Sequence, residues 1–135
     1  MRRVVITGLG VVSPIGNSSS EVLNSLKNGI SGIEFSEEMS ERGFRSQVSG
    51  NLKIDVSEKI DKRILRFMGP GAAYAHIAMT QAIEDAGLDS KDVVNYRTGL
   101  IAGSGGPSTS SILAAHQTVL EKGSTKRIGP FAVQK

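Results

Sequence analysis

Two glycine-rich stretches and a run of basic residues are the parts of this sequence whose residue types could bind a ligand. The first stretch, VVITGLGVVSPIG at residues 4–16, approaches the G-x-G-x-x-G pattern with which a strand–turn–helix unit binds a dinucleotide. Ser13 occupies the third glycine position, and Pro14 follows where helix amides would have to meet the phosphates. We therefore interpret Gly8 and Gly10 as part of a tight turn, with a nicotinamide-binding module as the weaker alternative.

The second glycine stretch, GSGGP at residues 103–107, follows an apolar segment and precedes a helical pattern. It lacks the G-x-x-x-x-G-K-[ST] spacing of a phosphate loop, and no lysine follows it that would reach a phosphate. Glycines at the carboxyl end of a strand let a backbone or a ligand approach closely, and open α/β sheets keep their sites at that edge. The residue types leave packing and ligand contact equally open for this loop.

Nucleophiles and metal ligands are scarce in the sequence. It contains no cysteine and two histidines. Both His76 and His116 fall in helical patterns among apolar neighbours, where a packed or surface role is the ordinary one. The acidic residues are scattered at helix ends, so neither a metal site nor a nucleophile triad can be assembled. Catalysis cannot be assigned from this segment alone.

Basic residues form local clusters although the net charge is only +3. A solvated helix face explains such clusters, and so does the docking of an acidic partner by electrostatic steering. The weak net charge and the 4% aromatic content indicate no nucleic-acid partner. The clustered residues are Arg45, then Lys62, Arg63 and Arg66 within about one helical turn, then Lys122, Lys126 and Arg127.

The elements that must position these residues follow an α/β pattern. We predict buried strands over residues 3–7 and 98–102, because both are unbroken apolar runs, and an irregular excursion over 31–51. We predict four helices: one from the caps at 17–20 to the stop at 27–29, then 57–68, 72–86 and 109–121. Two strands are too few to complete an α/β sheet, so we expect the chain to be part of a larger fold.

Two of these helices carry packing predictions. Helix 72–86 is apolar nearly all round, which predicts that it is buried. For helix 109–121 we predict a packing side made of Ile112, Leu113, Ala115, His116, Val119 and Leu120.

Composition and length are those of about one globular domain. The chain has 135 residues, of which 39% are hydrophobic, and no apolar run is long enough to span a bilayer. The start, MRRVVITG, has neither a long apolar segment nor a small-residue cleavage site. We therefore expect a cytoplasmic protein without a membrane span, a disulfide or a cysteine nucleophile in these residues.

Five segments in this order and spacing resemble the N-terminal part of a β-ketoacyl-acyl carrier protein synthase: VVITGLGVVSPIGN, SLKNGISGI, GFRSQVSGN, QAIEDAGL and GLIAGSGG. The resemblance covers essentially the whole chain. The tract SEEMSERGFRSQVSGNLKID lacks the Phe-Asp pair usual in the type II synthases and resembles synthase I, a fatty acid elongation enzyme of Gram-negative bacteria.

The resemblance implies an α/β fold of the thiolase-like type, with two similar halves stacked as five αβαβα layers in a homodimer. Residues 1–135 would be the N-terminal part of that domain and most of its first half, with the remainder beyond residue 135. The family's nucleophilic cysteine and two histidines would also lie downstream, so this segment alone is expected to be inactive. The implied activity is acyl transfer with decarboxylative condensation, without a cofactor or a metal.

The resemblance also implies roles for named residues. Lys62, Arg63 and Arg66 match the basic helix that grips the acidic acyl carrier protein, and Arg45 is grouped with them. Lys126 matches a second basic patch contributed by the other subunit. Gly123 stands where that patch has another basic residue, so Lys122 or Arg127 would substitute for it.

A second set of residues falls where the family has its acyl pocket and dimer interface: Gly105, Gly106, Pro107, Ser108 and Phe131. The stretch from Pro107 to Thr109 departs from the family pattern, which leaves the preferred chain length open. The alternative is a non-catalytic subunit of the same fold that shapes the pocket of an active partner.

Overall fold

The computed structural model describes residues 3–132 and residue 135. These residues form two compact units. The first unit contains the described residues up to Asp55 together with Ile77–Leu88, and the second contains Val56–His76 and the described residues from Asp89 onward. The long helix over residues 70–85 therefore contributes to both units.

The first unit begins with a long loop and then helix α1, Ser19–Lys27. The Ser18 hydroxyl caps this helix by accepting a hydrogen bond from the Glu21 amide at 3.3 Å. The chain turns away from the helix at Gly29, whose φ is +63°. The predicted helix is thereby confirmed, with a serine start and a glycine stop as its residue types indicate.

The excursion over residues 31–51 is more ordered than predicted. Two short strands pair antiparallel here: β1, Glu34–Phe35, and β2, Val48–Ser49. The segment between them contains helix α2, Glu37–Glu41. Ser36 caps α2 by accepting from the Met39 amide at 3.4 Å. The apolar residues of this tract are spaced irregularly because the chain changes structure every few residues.

The predicted basic helix over 57–68 is two short helices, α3 (Val56–Lys59) and α4 (Lys62–Leu65). The break lies at Asp61, whose carboxylate accepts from the Arg63 amide at 2.8 Å and so caps a new helix. Aspartate favours this role because its side chain competes for backbone donors in a helix interior. The prediction of one continuous helix was wrong for that reason.

The remaining helices are α5 (Pro70–Asp85), α6 (Ser90–Val93) and α7 (Thr109–Lys122), followed by a 3₁₀ helix, Thr125–Arg127. Helix α5 starts two residues earlier than predicted, because proline suits the first turn of a helix. Helix α7 matches its prediction closely.

The two predicted strands are not observed as strands. Neither 3–7 nor 98–102 pairs with another strand among the described residues. The side chains of Val4 and Ile101 are 91% and 99% exposed. A strand is defined by its hydrogen-bonded neighbour, and apolarity alone does not supply one.

Burial is sparse in the described residues. Ile60, Ala73 and Ile77 are the buried hydrophobic residues there. Predicted burial of α5 holds for Ala73 and Ile77, whereas Met79 is 43% exposed. The predicted packing side of α7 is wrong for Ile112, Leu113, His116 and Leu120, which are exposed, since no other element covers that side in the described structure.

Candidate functional site

Gly8 and Gly10 serve close packing against helix α5. A Cβ atom on Gly10 would lie 1.7 Å from the carbonyl oxygen of Ala78, and one on Gly8 would lie 2.1 Å from that of Ala82. The helix therefore occupies the space beside both glycines, where the dinucleotide alternative needs room for a pyrophosphate. Helix α1 begins only at Ser19, too late in the chain for its amides to serve that motif.

The prediction of a tight turn at Gly8 and Gly10 was wrong, because both glycines lie in a loop packed against α5, and the tight turn comes after them. Ser13 and Gly16 exchange backbone hydrogen bonds of 2.9 and 3.2 Å around Pro14 and Ile15. The loop is further tied to α5 by side chains. The Val11 amide donates to Gln81 Oε1 at 3.0 Å, and Gln81 Nε2 donates to the Asn17 carbonyl at 2.7 Å. Sequence reasoning missed this role of Gln81, since nothing local marks it.

The second glycine stretch borders an open cavity of about 760 Å³ in the second unit. A Cβ atom on Gly103, Gly105 or Gly106 would have no heavy atom within 4 Å. The loop turns through Ser104, whose hydroxyl donates to the Gly106 carbonyl at 2.7 Å. Small residues line the cavity, among them Gly69, Gly71, Ala72, Ala75, Gly106, Pro107 and Ser108. The glycines here leave space unfilled, which is what a ligand wall requires.

Ser108 ends this loop and starts helix α7. Its hydroxyl accepts from the Ser111 amide at 3.3 Å, the geometry of an N-cap. The backbone of Lys135 approaches from another side, since a Cβ atom on Gly69 would meet the Lys135 carbonyl oxygen at 2.5 Å. The cavity is therefore bordered by the start of α5, the glycine loop and the start of α7.

Three basic side chains project from one turn at helix α4. Lys62 and Arg63 open the helix and Arg66 caps its end, donating its backbone amide to the Lys62 carbonyl at 3.3 Å. All three residues are exposed. We call them the α4 basic surface; the predicted cluster on one helical turn is confirmed as a cluster. Arg45 is exposed in the first unit, in the loop before β2.

The cations of the α4 basic surface differ in their neighbours. The guanidinium of Arg63 lies 3.3 Å from the Asp61 carboxylate, an exposed ion pair worth little by itself. The guanidinium carbon of Arg66 lies instead 4.5 Å from the ring centre of Phe67 and 6.0 Å from that of Phe131. The two rings meet edge to face, with centres 4.5 Å apart. Arg66 is thus held by aromatic faces.

The second basic group lies where helix α7 ends. Lys122 is its last residue, and Gly123 caps it in the left-handed conformation at φ +62° and ψ +17°. This conformation explains why glycine stands where the family resemblance led us to expect a basic residue. Lys126 and Arg127 follow in the 3₁₀ helix, which Ser124 caps, and all three cations are exposed.

Phe131 lines a smaller cavity of about 240 Å³ as well as contacting Arg66. One wall comes from α7, through Ser111, Ala114, Ala115 and Thr118, and the rest of the lining comes from Ile128, Gly129, Ala132 and Lys135. The family resemblance implies an acyl-pocket role for Phe131, and sequence reasoning missed its contact with the basic surface. The sequence shows that Arg66 and Phe67 are neighbours, but nothing local in it indicates the contact with Phe131.

No metal site is found in residues 3–132 and 135, and the two histidines lie on different helices, α5 and α7, and are exposed. Among the same residues, no helix combines the length and apolarity needed to cross a bilayer.

The carboxyl group of Asp89 has a shifted pKa. The Lys91 ammonium, which donates to the Asp89 side chain, lowers the pKa of Asp89 below its ordinary value of 3.8, and the backbone amides of Lys91 and Asp92 act in the same direction. Asp89 and Asp92 form a capping box at the start of α6. The shift is accounted for by the Lys91 ammonium, 3.0 Å from the Asp89 carboxylate, together with helix capping.

Comparison with known sequences supports the resemblance. Residues 1–135 match the family described as "Beta-ketoacyl synthase, N-terminal domain". The chain is 51% identical over 135 residues to 3-oxoacyl-[acyl-carrier-protein] synthase 1 of Haemophilus influenzae and 47% identical over 136 residues to the protein of that name from Escherichia coli K12. The alignments cover 100% of this chain but 33% and 34% of those relatives. The chain thus spans about a third of their length.

Comparison with solved structures supports the fold. A β-ketoacyl synthase from Burkholderia phymatum matches with a TM-score of 0.79 and 28% identity, over 98% of this chain and 33% of that one. The predicted α/β fold of the thiolase-like type is confirmed by this likeness. The expected similarity to the synthase I type is confirmed by the names of the two relatives.

Proposed function

The chain belongs to the β-ketoacyl synthase family, whose N-terminal domain it matches from residue 1 to residue 135, and from this membership we propose that the protein is a 3-oxoacyl-acyl carrier protein synthase of fatty acid biosynthesis. The observation that carries the proposal is the 47% to 51% identity, over the whole chain, to relatives named as synthases of this kind. Residues 1–135 would be the N-terminal part of one thiolase-like domain, in a cytoplasmic homodimer.

The proposed reaction runs through groups that lie outside this segment. A cysteine thiolate attacks the thioester of an acyl carrier protein, the carrier thiol leaves, and the acyl group stays on the enzyme. Malonyl-carrier protein then loses carbon dioxide, and the carbanion left behind attacks the enzyme-bound thioester carbonyl. The cysteine leaves as thiolate, and a 3-oxoacyl-carrier protein results. Two histidines polarise the malonyl thioester carbonyl while enolate charge develops.

The contribution proposed for this segment is carrier-protein docking. The α4 basic surface presents three exposed cations on one turn, which fits an acidic protein surface. Lys126 and Arg127 are proposed as the second contact, with Lys122 near them in sequence. Arg45, an exposed cation of the first unit, is proposed separately as a carrier-binding residue. Exposed charges of this kind contribute to association rate and specificity more than to the stability of the chain.

A second contribution proposed for this segment is one wall of the acyl pocket at the dimer interface. The unfilled cavity beside Gly106, Pro107 and Ser108 supports it, because small side chains leave room for an alkyl chain. Gly105 lies in the same loop. Phe131, which lines the smaller cavity with residues of α7, is the bulky member of this set.

The test is condensation by the intact protein. Purified protein is mixed with an acyl carrier protein loaded with an acyl group and one loaded with a malonyl group, and carbon dioxide and 3-oxoacyl product are measured. Product formation in equal amounts supports the proposal. Absence of both products from folded protein contradicts it and favours a non-catalytic subunit.

The docking part is tested by reversing two charges, Arg63→Glu with Arg66→Glu. We expect carrier-protein affinity to fall about tenfold or more, because two attractive contacts become repulsive. The matched control is Lys27→Glu with Arg97→Glu, which changes the net charge equally at two other exposed cations. Equal affinity of the two double variants would contradict the docking role of Arg63 and Arg66. The proposed condensation activity would still stand, because it is tested separately.

A further inference from the structure

The cluster of Arg66, Phe67 and Phe131 joins two parts of the second unit that are far apart in sequence. Arg66 and Phe67 follow helix α4, and Phe131 follows the 3₁₀ helix. The edge-to-face ring contact has centres 4.5 Å apart and planes at 86°, a favoured aromatic geometry. Phe67 is half-buried and its ring contacts that of Phe131.

From this geometry we propose that Phe131 is a positioning residue for Arg66, orienting its guanidinium to bind a carboxylate or phosphate of the docked carrier protein. The inference rests on the proposed function for its partner and on the ring contacts for its mechanism. Phe131 acts directly, at 6.0 Å from the guanidinium carbon, and indirectly by bracing the Phe67 ring, which lies at 4.5 Å.

Contact with aromatic rings suits this role because a ring attracts the cation without being a strong hydrogen-bond acceptor for its N–H groups. The N–H groups lie in the guanidinium plane and stay available for a bidentate contact with an anion. A long side chain that is already held in place also loses less conformational freedom when a partner binds. Arg66 is therefore prepared for an anion before that anion arrives.

The neighbouring cations, Arg63 and Lys62, are not oriented by aromatic rings in this way. The guanidinium of Arg63 faces the Asp61 carboxylate at 3.3 Å, which competes with a partner's anion. Lys62 carries a flexible ammonium without the planar fork of an arginine. Among the three residues of the α4 basic surface, Arg66 is thus the one whose direction is set by neutral groups, and Phe131 is the one of those groups that comes from a distant segment.

A double-mutant cycle in the intact protein tests the proposal. Affinity for acyl carrier protein is measured by calorimetry for Phe131→Leu, Phe131→Tyr, Arg66→Ala and Phe131→Leu with Arg66→Ala. We expect Phe131→Leu to weaken binding about two- to fivefold, the worth of an exposed cation–π contact. Phe131→Tyr keeps the ring and is expected to keep the affinity, and Phe131→Leu is expected to cost nothing further once Arg66 is alanine.

An equal loss from Phe131→Leu in both backgrounds would overturn the proposal, because the effect would then not pass through Arg66. Unchanged affinity of either single variant, Phe131→Leu or Arg66→Ala, would overturn it too. These outcomes leave the proposed function standing, since condensation by the intact protein is measured separately.

A second measurement needs no carrier protein. In protein labelled at arginine, the Arg66 Nε–H signal in the nuclear magnetic resonance spectrum should be displaced by the ring currents of the two phenylalanines. We expect Phe131→Leu to move that signal and Phe131→Tyr to leave it in place. A signal that does not respond to Phe131→Leu shows that the ring does not position Arg66, whether or not the carrier binds.

Discussion

Replacing Gly10 by alanine should separate the N-terminal loop from helix α5. The new Cβ atom would lie 1.7 Å from the Ala78 carbonyl oxygen. Cβ atoms essentially never lie within 3.0 Å of a heavy atom outside their own residue and its chain neighbours. The loop must therefore retreat from the helix by more than 1 Å. The hydrogen bond from the Val11 amide to Gln81, at 3.0 Å, would then exceed bonding distance. So would the bond from the Leu9 amide to Asp85, at 2.9 Å.

The two lost hydrogen bonds set the expected size of the effect. Each contributes about 1 kcal/mol to the free energy of unfolding, and overpacking costs about 1–3 kcal/mol by itself. Movement of the loop breaks the hydrogen bonds but relieves the overpacking, so the two costs do not add in full. We expect the free energy of unfolding to fall by about 2–4 kcal/mol in total.

The assay is urea unfolding of the intact protein, combined with hydrogen exchange of the peptide that contains Leu9 and Val11. The Gly10→Ala variant should lose stability and lose protection at those two amides. Gly71→Ala is the control, since a Cβ atom there meets nothing within 4 Å and alanine favours a helix over glycine by up to about 1 kcal/mol. If both variants unfold alike and keep the same protection, close packing of Gly10 against α5 is refuted.

Two further predictions concern local structure. Because the folded-state pKa of Asp89 is lowered, its ionised form stabilises helix α6 above the ordinary value of 3.8, and this stabilisation is lost as the pH falls through the lowered pKa. The carboxyl signal of Asp89 should titrate below 3.8, and Lys91→Met should raise the midpoint of that titration. An unchanged midpoint in Lys91→Met would contradict the ion pair between Lys91 and Asp89. Gly123→Ala should lower the free energy of unfolding by about 1 kcal/mol, because φ at this residue is +62°. Gly99→Ala, without a positive φ, should change little in the same unfolding assay, and equal losses from both would contradict the role of the cap.

Helix ends were predictable from sequence because their causes are local. Ser18 before α1 and Gly123 after α7 each act within one turn of their own position, whereas the start of α5 at Pro70 was predicted two residues too late. Asp61 acts in the same way, and the error at residues 57–68 came from weighing helical composition above a capping residue.

Strands and aromatic contacts were not predictable in this way. The run at residues 3–7 has the composition of a strand, but a ladder depends on a neighbour that the run itself does not specify. The contact between Arg66 and Phe131 likewise joins positions that no periodic pattern relates. The basic surface was predicted from residue spacing, whereas the groups that orient it came only from the structure.

The ties between the N-terminal loop and helix α5 also bear on how the chain is made. Leu9, Val11 and Asn17 find their partners 76, 70 and 64 residues further along the chain. A growing chain on the ribosome therefore carries the apolar run Val4, Val5 and Ile6 long before α5 exists to hold the adjoining loop. Contacts of such sequence separation form late and slowly, so the N-terminal loop is fixed in place only after residue 85 has been made. The apolar run itself gains no cover from these contacts, since its side chains are 62–91% exposed in the folded structure.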